Sequence, residues 1–193
     1  GACSSPTAVS ATRKVGTVGI PVYDTEIKIV PAEGGEDPLP TGTPGEICIR
    51  GPQVMAGYHN HPEETAAVLV DGWLHTGDIG VIDTDGYLSV VDRKKDMLIY
   101  KGYNVYPREL EELLVAHPGV AMAAVVGRKS VEVGELPVAF VVPTQPDLTP
   151  EQLMTDINAD VVPYKRLREV ILIDQLPISA AGKILKRELR QRL

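Results

Sequence analysis

Cysteine is almost missing from this chain of 193 residues: only Cys3 and Cys48 are present. Two thiols without metal-ligand spacing exclude a disulfide framework and a zinc site, and they make a reducing cytoplasm the default compartment. No apolar run approaches the ~20 residues that a helix needs to cross a bilayer. No basic-then-apolar start reads as a signal peptide, and no glycine-lysine phosphate loop, internal repeat or low-complexity stretch is present. Basic residues are scarce in the first half. Residues 1–92 hold four Lys and Arg against thirteen acids, whereas residues 93–193 hold fifteen against thirteen. The net charge of −7 excludes the clustered cations on which nucleic-acid affinity depends. The local basic groups of the second half suit small phosphorylated ligands. His59, His61, His75 and His117 are scattered, and none pairs with a Ser or Cys as nucleophilic catalysis requires.

The patterning that is present describes an α+β protein in two parts. Residues 1–14 read as a loose extension, with Gly1 as an expression scar. Val18–Val22 and Glu26–Val30 read as short strands, the second alternating with period two. Pro31–Gly45 is a long hairpin loop, and Glu46–Arg50 the returning strand. Pro62-Glu63-Glu64-Thr65 opens a short helix with Pro and acids in its first turn. Trp73–Ile82 and Tyr87–Asp92 flank a hairpin turn at Thr84-Asp85-Gly86. Beyond Asp92, strands and helices alternate. Pro107–His117 is an amphipathic helix with Leu110, Leu113 and Leu114 on one face. Val120–Val126, Val138–Val142 and Val170–Ile173 are buried strands. Thr149 caps a helix that Pro150 opens. Lys183–Leu193 reads as a closing helix. The boundary falls at Asp92–Lys95, where the charge changes sign, so residues 1–92 form a β-rich piece and residues 93–193 a compact α+β domain with a small central sheet, of ordinary domain size.

Several side chains stand where chemistry could use them. Gly77 lets the backbone turn sharply before Asp78 and exposes its carboxylate, which can accept two hydroxyl hydrogen bonds from a ribose. The plain alternative is a turn Asp bonded to its own backbone. Arg93 offers a planar, permanently charged donor set suited to ribose or phosphate oxygens; the alternative is a surface pair with Asp92 or Asp96, of little energetic value. Lys183 follows Ser179-Ala180-Ala181-Gly182 and could carry one positive charge into a cleft on a mobile loop. Read as an idle lysine at a helix start, it would oppose the macrodipole.

Three motifs occur in order: Gly72-Trp73-Leu74-His75-Thr76-Gly77-Asp78, then Val91-Asp92-Arg93-Lys94-Lys95-Asp96-Met97-Leu98-Ile99-Tyr100-Lys101-Gly102-Tyr103-Asn104-Val105-Tyr106-Pro107, then Ile178-Ser179-Ala180-Ala181-Gly182-Lys183. Together, from about Val15 to the last residue, they resemble the C-terminal third of the adenylate-forming enzymes, which include acyl-CoA synthetases, beetle luciferases and peptide-synthetase adenylation domains. The resemblance implies a β-rich end of a large adenylation domain followed by a mobile C-terminal domain. The phosphate loop and acyl pocket would lie in a missing N-terminal part, without which the fragment would be inactive. It implies ATP and CoA as substrates, with magnesium travelling on the ATP phosphates. It assigns Asp78 and Arg93 to nucleotide binding, Lys95 to the hinge between two poses of the C-terminal domain, and Lys183 to catalysis of adenylation. Lys101, Gly102 and Tyr103 would line the pantetheine tunnel of CoA after rotation. Lys101 departs from the second small residue that many CoA ligases carry there. The details around Asp92–Met97 and Asn104–Pro107 look most like the fatty acyl-CoA synthetases. The rival readings are a peptide-synthetase-type adenylation domain and a non-catalytic α+β binding module.

Overall fold

The computed structural model describes residues 2–4 and 14–193. These divide into two compact units, Gly1–Lys95 and Asp96–Leu193. The loop expected over residues 1–14 lies largely outside the described residues. Its described part differs from expectation, because Cys3–Ser4 is a short strand (β1) paired with Ile20–Pro21 (β2).

The first unit is an antiparallel sheet. Its strands are β3 (Glu26–Val30), β4 (Gly45–Arg50), β5 (Leu69–Val70), β6 (Trp73–Ile82) and β7 (Leu88–Arg93), with a short helix α1 (Pro62–Val68) before β5. β4 lies between β3 and β6, and β6 also pairs with β5 and β7. The tight β6–β7 hairpin has a local cause. Asp83 Oδ1 accepts the amides of Asp85 and Tyr87, each at 2.9 Å, so the carboxylate replaces backbone partners through the turn. Ile29, Ile47 and Leu88 form the apolar centre, backed by Cys3, Leu39, Ile49 and Val90. Gly80 is required where β6 passes β4: a Cβ there would lie 2.6 Å from Ile47 Cδ1 and 2.8 Å from the Ser89 carbonyl oxygen.

The second unit holds β8 (Leu98–Tyr100), β9 (Tyr103–Val105), α2 (Pro107–Ala116), β10 (Val120–Ser130), β11 (Gly134–Pro143), α3 (Pro150–Ala159), β12 (Glu169–Leu172) and α4 (Lys186–Arg190). The sheet order is β10-β11-β8-β9, with β12 parallel to β11. β10 and β11 are near-continuous apolar runs because both faces of the sheet are covered. Ala123, Val125, Ala139 and Val141 pack with Leu110, Leu114, Leu153 and Ile157 of α2 and α3. The alternate residues Ala124, Val126, Val138 and Phe140 pack with Leu176 and with Leu189 of α4. Leu110 and Leu114 are essentially fully buried, and each contributes about 1.5–3 kcal/mol by leaving water. Thr149 caps α3 through a reciprocal bond with Gln152.

Two expectations are corrected here. Leu113 is 39% exposed; the apolar stripe of α2 is narrower than the sequence suggests, and Leu113 falls at its edge. The closing helix begins at Lys186 and not at Lys183, because an antiparallel bridge between Ile178 and Ile184 holds the preceding residues extended.

Candidate functional site

β6 and β7 position the candidate nucleotide-binding pair. Asp78 and Arg93 stand directly opposite each other in the ladder, and Arg93 Nε lies 2.8 Å from Asp78 Oδ1 in an ion pair. The partner of Arg93 is therefore Asp78, not the Asp92 or Asp96 side chain expected of a surface pair; Asp92 Oδ1 instead accepts the Arg93 backbone amide at 2.7 Å. Gly77 has a positive φ of 71°, the left-handed conformation that its lack of a Cβ makes inexpensive. The Asp78 amide is held by Thr76 Oγ1 at 3.1 Å, and that hydroxyl donates to the Ile47 carbonyl at 2.8 Å. Asp78 thus sits on a fixed backbone, one oxygen against a guanidinium, and its side chain is partly exposed.

Beneath this turn lies a residue that sequence reasoning missed. Glu46, on β4, is only 4% exposed. Its Oε1 accepts the Gly77 amide at 3.1 Å. Its Oε2 accepts Lys94 Nζ at 2.7 Å and lies 3.2 Å from His75 Nδ1. Burial opposes the ionisation of Glu46, yet the hydrogen bonds from Lys94 and His75 outweigh it and hold the carboxyl below its usual range. The available signal was an acid beside the apolar residues Ile47-Cys48-Ile49, since a buried carboxylate demands donors. On the other side of His75, Nε2 lies 3.2 Å from Glu36 Oε1. Cys48 lies 3.5 Å from His75 Nδ1. Burial, helped by the charge of Glu46, pushes its thiol up to about 12, so it is a packed thiol and a poor nucleophile.

Lys95 sits at the middle of a single 3₁₀ turn, Lys94–Asp96. Its side chain is exposed.

The remaining candidates belong to the second unit. Lys101 and Gly102 form the two-residue turn between β8 and β9, with φ of 51° and 80°. Two successive positive φ values match the twist of the flanking strands. Gly102 suits that turn, whereas Lys101 occupies it against its preference. Tyr103 follows, exposed, and its ring stacks on Tyr164 with centroids 4.7 Å apart. Arg168 lies over the Tyr100 ring at 4.9 Å, so cations and aromatic faces gather around the turn.

Lys183 is exposed at the end of a small hairpin. Ser179 N donates to the Lys183 carbonyl at 2.8 Å, Gly182 N to the Ser179 carbonyl at 2.9 Å, and Lys183 N to Ser179 Oγ at 3.1 Å. Gly182, with φ of 77°, closes the turn. Lys183 precedes the helix by a full three residues, so the macrodipole argument against an idle lysine does not apply. What remains is an exposed ammonium on a structured turn of small residues.

The structure thus brings Asp78 and Arg93 into contact within the first unit. In the second unit it gathers Lys101, Gly102 and Tyr103 on one turn, with Lys183 on a separate hairpin. Among the described residues no group of three or more His, Cys, Asp and Glu could hold a metal ion.

Residues 1–59 match the model of the AMP-binding enzyme, and residues 109–183 that of the AMP-binding enzyme C-terminal domain. The chain is 52% identical over 182 residues to 4-coumarate–CoA ligase 2 of Oryza sativa subsp. japonica, covering 93% of this chain and 32% of that one. It is 48% identical over 175 residues to the long-chain-fatty-acid–CoA ligase of Escherichia coli O6:H1, covering 91% and 31%. ATP-bound MatB of Rhodopseudomonas palustris superimposes with a TM-score of 0.86 at 34% identity, over 95% of this chain and 37% of that one. The chain spans about a third of the length of the relatives it matches. The two family matches, one in each half, together with the shared fold, show that this chain belongs to the adenylate-forming, AMP-binding enzymes.

Proposed function

We propose that this chain forms part of an ATP-dependent carboxylate–CoA ligase, with the β-rich first unit as the end of the large adenylation domain and the second unit, from Asp96 onward, as a mobile C-terminal domain turning about Lys95. One observation carries the reading: Asp78 is fixed on a strand with one oxygen against Arg93, which itself stands two residues before Lys95, the residue at which the chain divides into two units. A carboxylate so held can accept the 2′ and 3′ hydroxyls of a ribose, and Arg93 both orients it and offers further donors to the nucleotide.

In the first half-reaction the carboxylate of the acid attacks the α-phosphorus of ATP, and pyrophosphate leaves with the electron pair of the broken P–O bond. A magnesium ion carried on the ATP phosphates would supply neutralisation of their charge. Negative charge grows on the α-phosphoryl oxygens, and the Lys183 ammonium, brought to them on its hairpin, stabilises it electrostatically. In the second half-reaction the CoA thiolate attacks the acyl carbonyl and AMP leaves. Lys101, Gly102 and Tyr103 line the path of the pantetheine arm. Gly102 carries no Cβ to obstruct that path, and the cations and aromatic rings around Tyr100, Tyr103 and Tyr164 suit a phosphorylated ligand.

We assign the acid to the fatty class on the motif from Asp92 to Pro107. The 52% identity to a 4-coumarate–CoA ligase supports an aryl-propenoic acid as the second reading. The two free cysteines favour a cytoplasmic setting. The test is pyrophosphate release and acyl-CoA formation by the intact enzyme containing this chain, with ATP, CoA and a panel of fatty acids and 4-coumaric acid. Turnover highest on a fatty acid is expected. Preference for 4-coumaric acid overturns the acid class and leaves the ligase reading intact; absence of acid-dependent pyrophosphate release from every member overturns the ligase reading.

A further inference from the structure

The run Asp92-Arg93-Lys94-Lys95-Asp96 changes sign around one untethered side chain. Arg93 is bonded to Asp78 and Lys94 to Glu46, at 2.8 and 2.7 Å, so both residues before Lys95 are tied into the first unit. On the far side, Asp96 Oδ1 accepts Arg190 Nη2 at 2.7 Å, so the residue after Lys95 is tied into the second unit. Lys95 itself is exposed and, among the described residues, its side chain makes no hydrogen bond or ion pair.

We infer that the pairs Glu46–Lys94 and Asp96–Arg190 are two collars, one in each unit, that confine rotation of the joint to Lys95 and tie each side of the joint to its own functional residue. This rests on the reading of Lys95 as the hinge. Ordinary surface ion pairs would be too weak for the task, but these two are sheltered: the carboxylates of Glu46 and Asp96 are 5% and 14% exposed, so water screens them poorly and losing the cation leaves a nearly buried charge.

What the collars hold gives them their purpose. Glu46 also accepts the Gly77 amide, so the carboxylate that grips Lys94 is the one that sets the turn presenting Asp78. Arg190 lies on α4, into which the Lys183 hairpin runs. A second ion pair, Lys186–Glu111 at 2.7 Å, fastens the start of α4 to α2. Turning about Lys95 would therefore carry Asp96, α4 and the Lys183 hairpin as one body and leave Asp78 where it is. Hinges of this kind need only one or two residues to absorb the change in φ and ψ, provided their neighbours do not. Glu46, Lys94, Asp96 and Arg190 are thus positioning residues.

The test is an inter-unit distance distribution in this chain. Nitroxide labels go on Glu63→Cys and Val131→Cys, both exposed positions, in a Cys3→Ala background; Cys48 is buried and left in place. Parent, Lys94→Met, Arg190→Met and the double variant are compared by pulsed electron spin resonance, together with amide hydrogen exchange. Each single variant should broaden the distribution, and the double variant more than either. Exchange over Lys94–Met97 should rise roughly tenfold, as expected for losing one charge-assisted hydrogen bond, while Ile79 and Phe140 in the two cores stay protected. Glu46→Gln and Asp96→Asn, which keep shape and remove charge, should reproduce the result if a methionine variant misfolds. Equal widths in all proteins with the cores protected overturn the collars and leave the hinge reading standing. Broadening without a localised rise over Lys94–Met97 places the pivot elsewhere and overturns the hinge reading itself.

Discussion

Arg93 Nε and Asp78 Oδ1 are 2.8 Å apart across one rung of the β6–β7 ladder, so a donor and an acceptor from two separate motifs stand side by side. Both side chains are partly exposed, and such a pair contributes at most about 1 kcal/mol to folding. Its value is in binding. Asp78→Ala should weaken nucleotide affinity of the intact enzyme by about 10–100-fold, the loss of charged hydrogen bonds, while urea midpoints barely move. Titration calorimetry beside equilibrium unfolding checks this. A large stability loss with unchanged affinity would make the pair a structural strut.

Glu46 should make stability acid-sensitive. Its carboxyl lies below the ordinary 4.5 in the folded protein, through its bonds to Lys94 and His75 and against the effect of burial. The unfolded chain therefore takes up a proton before the native one does. The stabilisation is fully present above about pH 4.5 and is lost as pH falls through the native value. Glu46→Gln keeps the shape, forfeits the charge, and should cost about 1–3 kcal/mol at neutral pH. As pH falls through the native value the two proteins should converge in urea midpoint. A gap that persists at low pH would mean that the cost is steric.

The turn at Lys101-Gly102 should respond to backbone preference. Both residues have positive φ, and a Cβ on Gly102 would meet nothing within 4 Å. Gly102→Ala should therefore cost about 1–2 kcal/mol through conformation alone. Lys101→Asn should gain up to ~1 kcal/mol, since Asn tolerates this region and Asn-Gly is the favoured pair for such a turn. Thermal unfolding of the two variants measures both signs; a destabilised Lys101→Asn would show that the lysine side chain holds the turn by contacts of its own.

How far the site could be read from sequence depended on where each residue's partners lie. The apolar runs of β10 and β11 announced themselves because two covered faces leave no polar alternation. The β6–β7 hairpin was legible from Thr84-Asp85-Gly86, since turn chemistry is local. Glu46 was not, because its donors Gly77, His75 and Lys94 come from β6 and from beyond the end of β7 and meet it only through the sheet. The Asp78–Arg93 pair is hidden in the sequence for the same reason: the two lie fifteen residues apart, and only the ladder brings them together. The helix start was placed too early because Lys and Arg propensity cannot reveal the bridge from Ile178 to Ile184. Leu113 satisfied the 3.6-residue period, but α2 turns it toward water.

Lys183 should matter for adenylation and hardly at all for thioester formation. It is an exposed ammonium on a turn of small residues closed by Gly182, and in the pose proposed for adenylation it meets charge that develops only in the transition state. In the intact enzyme Lys183→Ala should slow acyl-adenylate formation by about 10²–10³-fold, the usual loss for one electrostatic donor. Thioester formation from pre-made acyl-adenylate should change far less, because the rotated pose would bring the Lys101-Gly102 turn to the cleft and withdraw Lys183. Single-turnover assays of the two half-reactions separate these effects. The hairpin itself is held by backbone bonds and by Ser179 Oγ, none of which involves the lysine side chain, so Lys183→Ala should leave unfolding midpoints unchanged. Equal losses in both half-reactions with an intact fold would mean that Lys183 supports docking of the domain in either pose, and the assignment of one pose to each step would have to be abandoned.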